Sequence, residues 1–175
     1  MSGAEPSARF GKFIRTKKLG AGGMGEVWKA WDTELSRWVA LKFLKGSDDD
    51  EVARFQREAQ ISGKLAHPNI AAIYEVGESA GRHYIAMQFV DGTTLKRMAG
   101  GEPREIVRIT RDAAKAIAVA HRQGIVHRDV KPENLMIDGE GRVFVMDFGL
   151  ARSVRAETSM TASGMMVGTP TYMSP

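Results

Sequence analysis

The groups best able to do chemistry lie in His127-Arg128-Asp129-Val130-Lys131-Pro132-Glu133-Asn134 and, a short way on, in Asp147-Phe148-Gly149. Asp129 can accept a hydroxyl proton, and Lys131 can neutralise charge on a phosphoryl group in transfer. Asn134 and Asp147 offer the hard oxygens that hold Mg²⁺. Singly, each is an ordinary polar loop residue. As an ordered set they point to phosphoryl transfer.

Upstream, Gly20-Ala21-Gly22-Gly23-Met24-Gly25-Glu26-Val27 matches G-x-G-x-x-G-x-V, a spacing shared with dinucleotide folds. A dinucleotide site needs a helix directly after the glycines and an acid ~20 residues further on. Here a strand pattern follows, and Lys42 stands near that distance. A Walker loop needs Lys-Ser or Lys-Thr after its last glycine, whereas Gly25 is followed by Glu26-Val27. What survives is a hairpin covering phosphates, whose glycines let backbone N–H groups close on an anion. Lys42, on the Ala40 face of the next strand, points toward the same space. Glu58, among apolar neighbours on the following helix, is the carboxylate best placed to fix it. Such a pair positions a charge more than it stabilises.

Short alternating segments from Phe13 to about Asp91 must carry the glycines and Lys42. Strands are expected at Lys17–Leu19, Val27–Trp31, Trp38–Leu44, Ile70–Val76 and His83–Val90. The acidic run Ser47–Glu51 caps a helix in which Val52, Phe55, Ala59 and Ser62 recur at helical spacing, and His67-Pro68 stops it. Asp91-Gly92 and Gly100–Pro103 punctuate the crossing to a second half. There a helix spans about Arg104 to Arg122, with Ile106, Ile109, Ala113, Ile117 and Ala120 inward and Gly124 ending it. Short strands follow near Leu135–Ile137 and Val143–Met146. The expected architecture is α+β in two halves: an extension over 1–12 and a five-stranded sheet with one helix over 13–90, followed by 91–175.

Composition excludes other classes. Of 175 residues, 43% are hydrophobic and 26% charged, the balance of a globular protein rather than a disordered chain or coiled coil. The absence of cysteine removes thiolate metal sites and cysteine nucleophiles, and the four histidines lack metal-ligand spacing. A net charge of +4 is scattered without interleaved aromatics, which argues against nucleic acid as partner. No apolar run approaches the ~20 residues of a membrane span, and Met1–Arg9 has no signal-peptide core.

These motifs resemble those of eukaryotic-type Ser/Thr protein kinases, over about Phe13 to Pro175. Arg54–Ala59 followed by Leu65–Ile70 is similar to the bacterial members. That likeness implies a bilobal fold whose second lobe, mainly helical, is incomplete over 91–175. The resemblance implies that the hairpin of Gly20, Gly22 and Gly25 covers ATP, that Lys42 contacts its α- and β-phosphates, and that Glu58 pairs with Lys42. It implies that Val27, Ala40 and Met136 sandwich adenine, with Met87 as gatekeeper and Gln88 to Val90 as hinge. His127 and Phe148 would stack with Ile73 and the Glu58 helix as a spine. Lys131, two positions after Asp129, follows the Ser/Thr pattern, and Thr169 would bridge the two. Arg128 would receive a regulatory phosphate, for which Thr161 and Ser163 are the chosen acceptors.

Two departures stand out. Gln88 takes a position where the family often has glutamate, and Ser62 one where it has a larger apolar residue, which is expected to leave that helix position loose. The sequence ends at Met173-Ser174-Pro175, within the family's A-P-E segment, so a fragment with little activity of its own is expected, continuing with glutamate. The expected partners are ATP, Mg²⁺ and Ser/Thr-bearing proteins, with self-association through the first lobe. A cytoplasmic location is expected, compatible with an anchor beyond residue 175. A non-catalytic nucleotide-binding module is the main rival, and a small-molecule phosphotransferase a weaker one.

Overall fold

The computed structural model of the chain describes residues 9–22, 25–45, 48–98 and 100–148, without the side chains of Asp50, Arg54 and Glu58. It divides into two compact units: residues up to Gln60 with Ala72–Phe89, and Ile61–Ala71 with residues from Val90 onward. The main crossing falls one residue before the expected position. Residues 61–71, assigned from sequence to the first lobe, belong with the second unit.

In the first unit alternation does most of the work. Its antiparallel strands are β1 (Arg9–Phe10), β2 (Phe13–Gly22), β3 (Gly25–Asp32), β4 (Arg37–Leu44), β5 (Ile73–Ser79) and β6 (Arg82–Gln88), ordered β1-β2-β3-β4-β6-β5. Cross-strand rows Trp28–Leu41–Ala86 and Glu26–Phe43–Tyr84 present one face of the sheet. Ala30, Val39, Leu41, Phe43, Tyr84 and Ala86 bury on that face as one core with Phe10 and Phe13. The sheet thus has one strand more than expected. β1 lies within the stretch read as an extension, and it is drawn in because Phe10 meets Phe43 edge-on at 4.8 Å and Tyr84 at 5.5 Å.

Between β4 and β5 runs α1 (Asp49–Ser62). Asp48 is its cap: Oδ1 accepts from the Glu51 N–H at 3.3 Å, and its carbonyl accepts from Val52 at 2.9 Å. Phe55, Ala59 and Ser62, spaced four and three apart, are the buried stripe.

In the second unit, α2 (Pro103–Arg122) buries Ile109, Ala113, Ala116 and Ala120. It ends in a Schellman turn, with Gly124 N–H bonded to His121 O at 2.9 Å and Ile125 N–H to Ala120 O at 3.0 Å. Against it lies a sheet of β7 (Gly92–Thr94), β8 (Leu135–Asp138) and β9 (Val143–Val145). The sequence reading did not foresee β7, because Asp91-Gly92 reads as punctuation. Gly92 is needed for a different reason: a Cβ there would stand 1.9 Å from the Ile137 carbonyl oxygen across the ladder.

Ile70 was expected to open β5, yet it bridges in parallel to Val145, and Ala71 N–H bonds Val145 O at 3.0 Å. Its strand-like composition is real, but its partner is β9. Among the described residues, no helix is long and apolar enough to cross a membrane.

Candidate active site

In the second unit, the residues singled out from His127 to Asn134 close around Asp129. Asp129 is 8% exposed, and its Oδ2 lies 2.7 Å from the Lys131 ammonium. Asn134 Nδ2 donates to the Asp129 carbonyl at 2.8 Å and to Oδ2 at 3.2 Å. Asn134 N–H in turn bonds Lys131 O at 2.9 Å, within the 3₁₀ turn Pro132–Asn134. The carboxylate is thereby fixed by its own loop, and Lys131 supplies positive charge beside it.

Asp147 is brought to the same loop by the backbone. Met146 N–H donates to Asn134 O at 2.9 Å, and His127 Nε2 bonds Met146 O at 2.8 Å. Upstream, Asn69 grips β9: Val145 N–H donates to its carbonyl at 2.8 Å, and its Nδ2 donates to Val143 O at 2.8 Å. Asp147 itself adopts φ 55°, a left-handed conformation tolerated better by Asp and Asn than by most side chains. Arg128 is likewise left-handed at φ 67°, exposed, and among the described residues pairs with no carboxylate.

The pair Asn134 and Asp147 suits a hard cation. With its Nδ2 turned to Asp129, Asn134 has its amide oxygen left as the atom that could face a cation. Among the described residues no group of three His, Cys, Asp or Glu could hold a metal alone. Two protein oxygens fit Mg²⁺, which keeps waters and shares its coordination with substrate phosphates.

His127 locks the arrangement. It is fully buried, and its ring meets that of Phe148 at 4.6 Å. Asp129 N–H donates to Nδ1 at 3.3 Å, so the neutral ring carries its proton on Nε2, toward Met146 O. Burial pushes its pKa below the ordinary 6.5, outweighing the Met146 carbonyl and the Asp147 and Asp129 charges, which favour protonation.

The unfolded chain therefore binds a proton near pH 6.5 that the folded chain refuses, and stability falls as pH drops through that value toward the folded pKa. Unfolding midpoints are expected to decline from pH 7.5 to 5.5. In His127→Phe, which keeps a ring against Phe148, the decline is expected to be shallower. Parallel pH profiles of the two proteins would dismiss this account.

The first unit holds the other predicted residues. Register places Val27, Lys42 and Ile85 in one row and Ala40 opposite Met87 in the next, all on the sheet face away from the aromatic core. Lys42 is 6% exposed there. The candidate adenine contacts Val27 and Ala40 and the candidate gatekeeper Met87 thus share a face with the candidate phosphate lysine. Gln88 ties β6 to the residue before β5, since its N–H bonds Ala72 O at 2.8 Å and its Oε1 accepts from Ala72 N–H at 3.3 Å.

The hairpin glycines separate by role. A Cβ on Gly20 would meet nothing within 4 Å, whereas one on Gly25, at φ 126°, would stand 1.9 Å from the Phe43 carbonyl oxygen. Gly25 is thus required by the approach of β3 to β4. Glu26 next to it is 2.8 Å from Arg82 and 3.0 Å from Lys18, and the Arg82 bond is the main cause holding its pKa down at about 2.

Met136 lies on β8 opposite Thr94 and Phe144, and Val90 is buried at the start of the second unit's main segment. Glu58 lies in α1, but its side chain is outside the described residues, as are Thr161, Ser163 and Thr169 altogether. From sequence Asn69 carried no role of its own, standing only within Leu65–Ile70, the stretch similar to the bacterial members. Sequence reasoning misjudged Ser62. Far from loose, Ser62 is buried and its hydroxyl donates to Phe148 O at 2.9 Å.

The protein kinase domain family matches residues 13–175, and the chain belongs to that family. Proteins similar to it include bacterial Ser/Thr kinases. It is 44% identical over 168 residues to serine/threonine-protein kinase PknB of Mycobacterium leprae, covering 90% of this chain and 27% of that protein. It is 41% identical over 172 residues to PrkC of Bacillus subtilis, covering 94% of this chain and 26% of that protein. The crystal structure of the Mycobacterium tuberculosis PknI kinase domain is similar with a TM-score of 0.69 and 34% identity, over 86% of this chain and 64% of that one. The chain therefore spans about a quarter of the length of these two curated relatives.

Proposed function

We propose that the protein transfers the γ-phosphoryl group of ATP to Ser or Thr hydroxyls of protein substrates. The observation that carries this reading is the Asp129–Lys131–Asn134 cluster, tied through Met146 to Asp147. Asp129 orients the acceptor hydroxyl and takes its proton, and Lys131 offsets charge on the phosphoryl in transfer. Lys42 holds the α- and β-phosphates, assisted by Glu58. Val27, Ala40 and Met136 contact adenine, Met87 bounds its pocket, and the backbone from Gln88 to Val90 reads its edge. Asn134 and Asp147 would hold Mg²⁺, which when bound neutralises the β- and γ-phosphates.

Regulation belongs to the same reading. Exposed Arg128 adjoins Asp129, and a phosphate at Thr161 or Ser163 would bring roughly −1.5 to −2 charges to it. Thr169 would help seat the acceptor, bridging Asp129 and Lys131. The protein acts from the cytoplasm on protein substrates and self-associates through its first unit.

The test is incubation of the protein, purified at the full length its gene encodes, with Mg-ATP and a Ser/Thr-containing basic peptide, followed by mass spectrometry of both. Phosphate on the peptide and between Ser153 and Gly164 supports the reading. A rise in melting temperature with Mg-ATP but no transfer supports the rival, a nucleotide-binding module that works by contact. The complete catalytic set, with no position substituted, favours the enzyme.

A further inference from the structure

Ser62 ends the buried stripe of α1 with a hydroxyl where an apolar side chain would complete the packing. A serine in a last helical turn ordinarily bonds back to a carbonyl of its own helix or turns to water. This one does neither. It is 6% exposed, and its Oγ donates to the carbonyl of Phe148 at 2.9 Å, 86 residues further along the chain.

Phe148 directly follows Asp147. On the upstream side, Asp147 is held through both polar atoms of the Met146 backbone, N–H to Asn134 O and carbonyl to His127 Nε2. On the downstream side, the Phe148 ring rests on His127 at 4.6 Å. A ring contact of this kind fixes distance but leaves the peptide that follows free to rotate. Among the described residues, Ser62 supplies the directional bond to that peptide's carbonyl. Asp147 meanwhile keeps φ 55°, a strained conformation that persists only where its surroundings over-determine it. Anchors on both sides of the residue meet that requirement.

We propose that Ser62 is a positioning residue for Asp147: its hydroxyl clamps the Phe148 peptide so that the Asp147 carboxylate stays in its metal-holding orientation. The proposal rests on the reading of Asp147 as a Mg²⁺ ligand. Ser62 touches neither nucleotide nor metal, and acts through the two residues that follow Met146.

The test uses Mn²⁺ as probe, titrated by electron paramagnetic resonance in the presence of a non-hydrolysable ATP analogue. Wild-type protein is compared with Ser62→Ala and with Ser62→Cys, which keeps the size but offers a weak donor. Both variants are expected to bind Mn²⁺ about three- to tenfold more weakly, the worth of one neutral hydrogen bond. Analogue affinity without metal is expected to be unchanged, and amide exchange over residues 146–148 to accelerate. Wild-type Mn²⁺ affinity in the alanine variant overturns the proposal. So does an equal loss with and without metal, which marks general loosening, or wild-type behaviour of the cysteine variant, which marks a cavity effect. Wild-type protein that takes up no Mn²⁺ with the analogue overturns the metal reading of Asp147 itself, and the proposal with it.

Discussion

Asp129→Asn is expected to lower kcat for peptide phosphorylation by about 10²–10⁴-fold, the range of a positioned general base. Asparagine keeps the shape of the side chain, and its amide oxygen can still accept from Asn134, now 3.2 Å from Oδ2. What disappears is the negative charge and the capacity to take a proton. Lys131, 2.7 Å away, loses its counter-charge, so some stability is lost as well. The two effects separate in measurement. Mg-ATP affinity is expected to stay near wild type, because Asp129 is assigned to the hydroxyl and not to the nucleotide. A steady-state kcat within tenfold of wild type, in protein whose melting temperature shows it folded at assay temperature, would remove Asp129 from the chemistry.

How far this site could be read in advance depended on the range of the interactions involved. β4 was legible because its two faces differ in kind: Val39, Leu41 and Phe43 belong to the aromatic core, while Ala40 and Lys42 lie opposite. α2 was legible because its stripe and its Gly124 stop are written within one segment. Ile70 misled for the opposite reason. Its composition suits a strand, but which strand it joins is decided by Val145, far along the chain. Phe10 was likewise assigned to an extension, because its partners Phe43 and Tyr84 lie on strands remote in sequence.

The chemical groups were legible in identity but not in support. Asp129, Lys131 and Asn134 stand within six consecutive residues, so their proximity follows from the chain itself. Asp147 is different: its place depends on Met146, Asn69 and His127, and only the last of these was singled out. Ser62 shows the limit most sharply. A small polar residue on a buried stripe reads as a packing defect until its distant acceptor is seen. The hairpin glycines were assigned one shared purpose, whereas the Phe43 carbonyl accounts for Gly25 by itself.

Asp147→Asn isolates charge from backbone conformation, and the largest loss of metal binding is expected here. At φ 55° the position disfavours most side chains, but asparagine tolerates left-handed geometry nearly as well as aspartate. The Met146 bonds and the His127–Phe148 contact do not involve the carboxylate, so they remain. The variant is therefore expected to fold like wild type. Outer partners of a metal site cost about 10–100-fold in affinity when removed, and a direct anionic ligand costs more. Mn²⁺ affinity with a bound ATP analogue is accordingly expected to drop by more than about a hundredfold, and peptide phosphorylation with it. Asp147→Ala removes the carboxylate as well but also meets the left-handed backbone, so it should match the asparagine variant in metal loss while melting lower. Equal metal affinity in wild type and Asp147→Asn would mean that the carboxylate holds no cation, whereas equal melting of the two variants would mean that the backbone at 147 is not under strain.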